Sequence, residues 1–321
     1  MTIKVPKYFT RFRCIAEKCR DSCCIGWEIR IDDELMEKYK NFGENLGARL
    51  KGKIESDGEG HSFKLSNTGR CPFLNPSGLC DIITEMGEEH LCEICREHPR
   101  YYNVFRDYCE GGIGMACEVG ARLVIESDDD EFTEISSDFA ECEDEYSEAV
   151  LKDTVAVRDA LLKECYDGAD WCEEKLLSLA SELDKRCGFG DDRCEAIDTG
   201  EAIEATMTLI PFNAQFTADL TMARAIAENV NGFITYEGRV YALRLLRYFI
   251  RRHFISSVYM LNPLATLRMC IASVKVIAAL YLARGGNAEV CNTSLLSECA
   301  KDYSKSVEYN TDNTYDLIDM A

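Results

Sequence analysis

The sequence predicts a mainly α-helical protein in which an irregular, cysteine-rich N-terminal region packs on a C-terminal helical bundle. Two observations predict this division. Ten of the 18 cysteines lie within the first 117 residues, together with many turn-forming residues. Beyond about residue 135, apolar residues recur at the three- and four-residue spacing of amphipathic helices.

The composition divides the chain into three segments. We expect a cysteine-rich domain over residues 1–126, an acidic connector over 127–148 and a helical domain over 149–321. In the connector, 11 of 22 residues are Asp or Glu. Such a charge run is typical of a solvated linker or helix face; the alternative is a strip that docks a lysine-bearing partner.

Six helices are predicted in the last segment. They cover residues 149–165, 170–186, 201–209, 217–230, 236–260 and 264–284. Gly188 is a stop signal for the second helix, and Pro263 separates the last two. Arg244, Arg247 and Arg251 share one helix face, which predicts either a grip on a cofactor carboxylate or internal pairing with the acidic connector.

The charge balance argues against two classes of partner. Lys and Arg number 36 and Asp and Glu 57, so the net charge of −21 disfavours nucleic acid and an anionic membrane surface. The richest apolar stretch, residues 270–283, contains Lys275 and is shorter than the roughly 20 residues of a membrane span. The first residues show no hydrophobic signal core, so we expect a cytoplasmic protein.

The N-terminal cysteines have the spacing of metal ligands. A long cytoplasmic chain does not need disulfides, and short local pairs of thiolates pre-organise a zinc or iron–sulfur site. Buried reduced thiols are the alternative. A tight turn over residues 75–78 is expected to bring Cys71 and Cys80 together, and one helical turn would place Cys19 opposite Cys23. The spacing is Cys14-x4-Cys19-x3-Cys23-Cys24, then Cys71-x8-Cys80, then Cys92-x2-Cys95.

A glycine-rich segment and the later cysteines are interpreted as structural features without a functional role. Residues 110–114 read Glu-Gly-Gly-Ile-Gly, but no clear apolar strand precedes them, so they are predicted to be a turn rather than a nucleotide loop. The later cysteines are predicted to be small hydrophobic residues of helix faces. They are Cys142, Cys165, Cys172, Cys187, Cys194, Cys270, Cys291 and Cys299.

The combined motifs resemble the flagellin lysine-N-methylase family and a wider group of cysteine-cluster proteins expected to chelate zinc or iron. The resemblance covers about residues 6–123. One departure is Cys117-Glu118-Val119, where the family has Cys-Pro-Glu. The motifs are Cys23-Cys24-Ile25-Gly26-Trp27-Glu28, Cys71-Pro72-Phe73-Leu74, Gly78-Leu79-Cys80-Asp81 and Leu91-Cys92-Glu93-Ile94-Cys95-Arg96-Glu97-His98-Pro99-Arg100.

The resemblance implies transfer of a methyl group from S-adenosylmethionine to lysines of flagellin, by a protein that carries an iron–sulfur cluster. A [4Fe–4S] cluster is expected, with zinc as the alternative. A non-enzymatic zinc- or cluster-binding scaffold and an electron-transfer protein are the competing functions. Residue-wise matching gives the metal ligands as Cys23 or Cys24, Cys71, Cys80 and Cys95, followed by Cys19 and Cys92.

The chemistry of the implied reaction selects further candidates. A lysine amine must lose its proton before it attacks a sulfonium methyl group, so the site should lower the pKa of the amine by partial burial or offer a carboxylate or tyrosinate as the base. Glu28 and Glu88 lie beside the cysteine motifs and are candidate bases, or alternatively ion-pair or capping partners of Arg96 and Arg100. Trp27, Arg96 and Arg100 are candidate cofactor-binding residues, with a structural aromatic anchor as the alternative for Trp27.

Overall fold

The computed structural model describes residues 2–41, 49–58, 60–136, 146–188, 190–260 and 262–320. They form two compact units. The helical unit comprises Met1–Phe12 and Tyr101–Ala321, and the cysteine-rich unit comprises Arg13–Arg100. The cysteine-rich unit is narrower than residues 1–126, because strands near both ends of that range pair with each other inside the helical unit.

The structure is 57% helical, which confirms the prediction of a mainly α protein. The helices are α1 (Asp33–Lys40), α2 (Asp81–Met86), α3 (Glu93–Glu97), α4 (Glu118–Glu126), α5 (Glu148–Glu164), α6 (Glu173–Cys187), α7 (Thr199–Thr208), α8 (Ala214–Arg224), α9 (Val230–Thr235), α10 (Arg239–His253), α11 (Ser257–Met260), α12 (Pro263–Ala283), α13 (Thr293–Ser306) and α14 (Thr311–Met320). The strands are β1 (Thr2–Pro6), β2 (Arg30–Ile31), β3 (Ile54–Ser56), β4 (His61–Phe63), β5 (Arg100–Val104), β6 (Cys109–Ile113) and β7 (Phe132–Ser136).

All six predicted helices occur, with two corrections. The helix predicted over 217–230 ends at Arg224, and a short 3-10 turn leads into α9. The helix predicted over 236–260 is divided, because α10 ends at His253 and a second 3-10 turn precedes α11. Polar side chains cap several starts: Ser147 caps α5, Asp198 caps α7 and Asn262 caps α12.

Helix α12 is the core of the helical unit. It packs against α6, α8, α10 and α13, and nearly all of its residues are buried. By length and composition alone it is apolar enough to cross a membrane, yet nearly all of it is buried inside the protein. Its apolar character is therefore explained by its central position.

A four-stranded mixed sheet belongs to the helical unit. Its order is β5-β6-β1-β7, with β1 parallel to β6 and antiparallel to β7. The prediction of a turn over residues 110–114 is wrong, because Cys109–Ile113 is extended and forms strand β6. Glu110 pairs with Lys4 of β1. A Cβ atom at Gly111 would collide with the ring of Tyr102, and one at Gly112 with the ring of Tyr101. Glycine at these positions therefore lets the tyrosine rings pack closely on β6.

The cysteine-rich unit is not wholly irregular. Strands β2, β4 and β3 form an antiparallel sheet in that order, with Ile31 opposite His61 and Ile54 opposite Phe63. A small apolar core includes Leu35 of α1 as well as the thiols of Cys71 and Cys92. Cysteine side chains are thus part of what holds this unit together.

Candidate functional site

A tight turn brings two of the predicted ligands together. The Gly78 N–H donates to the Asn75 carbonyl at 3.0 Å, and Gly78 has a φ of +79°, a left-handed conformation that favours glycine. Leu74 and Cys80 then pair as an isolated β-bridge. The predicted turn is confirmed, and the charges of Cys71 and Cys80 act on each other across it.

Helix α3 presents the next pair of thiols. Cys92 is its N-cap residue, and the Cys92 carbonyl accepts hydrogen bonds from the N–H groups of Cys95 at 3.0 Å and Arg96 at 2.9 Å. The Asp32 carboxylate caps α1 through the Leu35 N–H and also accepts from the Glu93 N–H, both at 3.0 Å. One carboxylate therefore fixes the starts of α1 and α3 relative to each other.

Five cysteines of this unit interact through hydrogen bonds or charge, and we call them the thiol cluster. Burial raises the pKa of the Cys71 thiol to about 11 and also raises the pKa of Cys80. A hydrogen bond to Cys92, followed by burial, raises the pKa of Cys95 well above its usual range. Burial therefore favours the protonated form of Cys71, Cys80 and Cys95. The members of the thiol cluster are Cys23, Cys71, Cys80, Cys92 and Cys95.

The donor chemistry of the thiol cluster fits a thiophilic metal. Every donor is sulfur, and a divalent cation would offset both the burial penalty and the mutual repulsion of thiolates. The predicted ligands are all free thiols. Within the described ranges, however, no three or more His, Cys, Asp or Glu side chains are already arranged as a metal-binding group. Metal binding therefore remains a prediction.

The remaining predicted ligands occupy different settings. Cys19 ends a short 3-10 helix, so the predicted helical turn between Cys19 and Cys23 is wrong. Cys24 packs against the apolar core of the unit, and its carbonyl accepts from the Cys71 N–H at 2.8 Å. The charge of Cys23 acts on Cys95. Cys23 is exposed and Cys24 partly buried, and the choice of ligand within the vicinal pair stays a prediction.

The predicted catalytic carboxylates are solvent-accessible. Glu28 is half-exposed and forms an ion pair with Arg30 at 3.3 Å. Glu88 is exposed at the start of the 3-10 helix Glu88–His90. Glu28 is thus in an ion pair, but with Arg30 and not with Arg96 or Arg100, the partners named in its alternative interpretation.

The candidate cofactor-binding residues also lie in the cysteine-rich unit. The Trp27 ring packs 5.4 Å from the His98 ring, measured between centroids, and is partly buried. Arg96 pairs with Glu97 at 3.4 Å, and an Arg100 N–H group reaches the Arg96 carbonyl at 3.5 Å. The cofactor-binding roles of Trp27, Arg96 and Arg100 stay predictions.

The arginine face of α10 is paired internally. The Asp130 carboxylate accepts from Arg247 Nε and Arg251 Nη1, each at 2.7 Å. The Asp167 carboxylate binds Arg244 and Arg247 at the same distance. Burial alone would raise the pKa of Asp130, but the two guanidinium groups lower it. These arginines are therefore paired internally, with Asp130 of the acidic connector and with Asp167 of the helical segment that follows it.

Sequence reasoning missed a buried polar network in the helical unit. The Glu308 carboxylate accepts from the Tyr248 hydroxyl at 3.0 Å, from His253 Nε2 at 2.8 Å and from Arg252 Nε at 3.0 Å. Burial would raise the pKa of Glu308, but Arg252 and His253 lower it. Burial lowers the pKa of His253. In the sequence, only the charged residues among the apolar ones of α10 pointed to a buried polar network.

Several later cysteines behave as predicted. Cys165, Cys270 and Cys299 are buried among apolar neighbours of the helical unit. Cys172 is exposed, which differs from the prediction, because it precedes α6 instead of lying within it. Cys142 lies outside the described residues.

Fold and site together define a mainly helical protein whose separate cysteine-rich unit gathers interacting thiols. Over part of its length the chain is similar to proteins named Lysine-N-methylase, in agreement with the resemblance of its motifs. It is 30% identical over 138 residues to a Lysine-N-methylase of Salmonella typhimurium and 29% identical to that of Salmonella choleraesuis. It is also 28% identical to Flagellar biosynthetic protein FliU of Salmonella muenchen.

These similarities are partial. Each match covers 40% of this chain; it spans 34% of the length of either methylase and 80% of the FliU protein. No family model matches the chain. No solved structure matches it either.

Proposed function

We propose that this protein methylates lysine side chains of flagellin, with S-adenosylmethionine as the methyl donor. The observation that carries the proposal is the similarity to two proteins named Lysine-N-methylase and one named Flagellar biosynthetic protein. The net charge of −21 supports it, because an acidic protein attracts a lysine-bearing partner electrostatically. We further propose that the protein works in the cytoplasm, where thiols stay reduced.

The proposed reaction moves one methyl group. The neutral ε-amine of lysine attacks the sulfonium methyl carbon, the carbon–sulfur bond breaks, and S-adenosylhomocysteine leaves as a neutral thioether. The amine must lose a proton to a base. Glu28 and Glu88 are the proposed bases, since both carboxylates are reachable from solvent beside the thiol cluster motifs. Trp27, Arg96 and Arg100 are the proposed cofactor contacts.

We also propose that the thiol cluster holds an iron–sulfur cluster, with zinc as the alternative metal. The proposed ligands are Cys23, Cys71, Cys80 and Cys95. Cys92 and Cys19 are the next candidates. Support comes from the mutual electrostatic interaction of these thiols and from their all-sulfur chemistry. Such a group, when bound, would link segments of the unit that are far apart in sequence.

The methylation proposal is tested with full-length protein purified anaerobically. Calorimetry should show saturable binding of S-adenosylmethionine, and mass spectrometry should show flagellin lysines gaining 14 Da per transferred methyl group, about the mass of one CH₂. Glu28→Gln and Glu88→Gln should lower kcat by about 10²- to 10⁴-fold if the carboxylate removes the proton. Glu34→Gln and Glu89→Gln are matched exposed controls. Donor binding without any methyl transfer to flagellin would exclude this substrate.

A non-enzymatic metal-binding module is the second candidate function. The thiol cluster favours it, because buried, interacting thiols are explained by metal binding without any catalysis. Iron, zinc and sulfide analysis of the same sample separates the two. Metal without S-adenosylmethionine binding would favour the module, whereas donor binding would favour the enzyme.

A further inference from the structure

Three apolar side chains are exposed near one another on the helical unit. Met207 lies near the end of α7, Ile210 follows that helix and Met320 ends α14. Their exposed fractions are 36%, 66% and 44%. Single exposed apolar residues are common on protein surfaces, whereas a group of them marks an interaction site. We call these three residues the methionine–isoleucine patch.

Hydrogen bonds hold the end of α7 and the residues after it against α14. The Thr208 hydroxyl donates to Met320 Sδ at 3.6 Å. Near the start of α14, the buried Asn313 side chain accepts from the Ile210 N–H at 3.1 Å and donates to the Ile210 carbonyl at 2.8 Å. The chain therefore follows α14 from one end to the other, which brings the three apolar side chains to one surface of the unit.

A row of carboxylates lies on the same helix. Leu317 and Ile318 are on the buried face of α14, whereas Asp312, Asp316 and Asp319 are exposed. Residues four and three positions apart follow one face of a helix, and at 1.5 Å per residue this row is about 10.5 Å long. The sequence of α14 contains neither Lys nor Arg. We call the three aspartates the acidic stripe.

The chemistry of the patch and the stripe selects the partner. Flexible, polarizable methionine side chains adapt to the apolar face of an amphipathic helix. Lysines at i, i+4 and i+7 on such a helix have the spacing of the acidic stripe, whereas three alternate lysines on a strand would span about 13 Å. A second copy of this chain would bring two acidic stripes together, and an anionic membrane would also be repelled.

We propose that the methionine–isoleucine patch and the acidic stripe form a docking surface for an amphipathic helix that carries lysines beside its apolar face. The apolar side chains of that helix lie on Met207, Ile210 and Met320, and its ammonium groups lie along α14. Docking requires neither a methyl donor nor a metal, so this proposal goes beyond the proposed function and does not depend on it.

The test uses the full-length protein and a fluorescein-labelled synthetic peptide, without S-adenosylmethionine. The peptide is a helix of about 18 residues, or five turns, with Leu on one face and Lys along the edge of that face. Fluorescence anisotropy gives Kd. Ile210→Asp should weaken binding at least about 10-fold, because it places a carboxylate in the apolar part of the contact.

Val290→Asp is the matched control, since Val290 is 72% exposed and the substitution adds the same negative charge. Val290 precedes the start of α13, whereas the anchor of the patch, Asn313, bonds to the carbonyl of Ser306 at the end of α13. Kd of this variant should therefore equal that of the wild type. Equal Kd values for Ile210→Asp and Val290→Asp, or a wild type that does not bind the peptide, would overturn the docking surface.

A second variant tests the acidic stripe. Asp312→Asn, Asp316→Asn and Asp319→Asn combined should weaken binding and reduce its dependence on salt concentration. A peptide with the same apolar face and Glu in place of Lys should bind the wild type at least about 10-fold more weakly. Equal binding of the Lys and Glu peptides would overturn the choice of partner. So would self-association of the free protein that is lost in Ile210→Asp, measured by sedimentation velocity.

Discussion

The two units of this protein are stabilised in different ways. The helical unit buries a long apolar helix, α12, and matches its buried charges in pairs such as Arg158 with Glu110. The cysteine-rich unit has a small core in which the thiols of Cys71 and Cys92 take the places of hydrocarbon side chains. A small unit of this kind has little apolar area to bury, so a bound metal would contribute a large share of its stability.

The largest expected effect comes from breaking a buried charge pair of the helical unit. Arg158 and Glu110 are 1% and 2% exposed, and Tyr108 bonds to both at 2.7 and 2.8 Å. Arg158→Ala should lower the free energy of unfolding by about 3–5 kcal/mol, because it leaves the Glu110 carboxylate buried without its cation. Urea unfolding followed by circular dichroism measures this change.

An exposed pair provides the control for that prediction. Arg186 and Asp153 lie 3.2 Å apart with about half of each side chain in solvent. Arg186→Ala should change the free energy of unfolding by no more than about 1 kcal/mol. Equal effects of the two substitutions would mean that burial does not determine the contribution of these pairs.

Metal loading should affect the two units unequally. At a free zinc concentration about 100 times Kd, binding stabilises the folded site by about 2.7 kcal/mol. Hydrogen exchange with mass spectrometry should show slower exchange in peptides from residues 13–100, with little change in peptides from α12. Cys95→Ser should abolish the slowing, and the exposed Cys172→Ser should not. Equal slowing of hydrogen exchange in both units would contradict the prediction that metal stabilises mainly the cysteine-rich unit.

The smallest expected effect is the loss of stability of the helical unit as the pH falls. Burial lowers the pKa of His253 below its ordinary 6.5, so below about that pH the unfolded chain binds more protons than the folded one. Stability should therefore fall as the pH drops through 6.5, by at most about 1.4 kcal/mol per pH unit. Glu308, whose pKa is lowered, contributes stability that is lost only at pH values below its ordinary 4.5.

Substitution at this position isolates the histidine. His253→Gln should flatten the fall in stability between pH 7 and pH 5.5, as measured by urea unfolding at each pH. A variant that loses stability as steeply as the wild type would show that His253 is not the group that takes up the proton.

Local patterns predicted the helices, but not the sheet of the helical unit. The predicted boundaries of α5 and α6 agree closely with the structure, because capping residues and apolar periodicity are local signals. Strands β1 and β6 are short, and their pairing joins Lys4 to Glu110, more than 100 residues apart. Such pairing depends on the folded chain and leaves no periodic trace in the sequence.

The candidate site was predictable in its ligand types more than in its surroundings. The turn predicted between Cys71 and Cys80 is present, with Leu74 and Cys80 paired across it. Tyr39 carried no such signal, since its only trace was a four-residue spacing from Leu35 on the apolar face of α1. Its hydroxyl has a hydrogen-bond partner because the folded chain places the His90 carbonyl 2.6 Å away, 51 residues along the sequence.

The order of the two units along the chain sets an order of events during synthesis. Strand β1 emerges first, yet its partners β6 and β7 lie beyond the whole cysteine-rich unit. At about 5–20 residues per second, the ribosome needs roughly 7–26 s to add the 130 residues from Lys4 to Glu134, which pair in the sheet. During that interval the inserted unit has its thiols outside the ribosome while the helical unit is still incomplete. The proposed metal binding could therefore precede completion of the helical unit, and a shortage of metal would then act on the nascent chain.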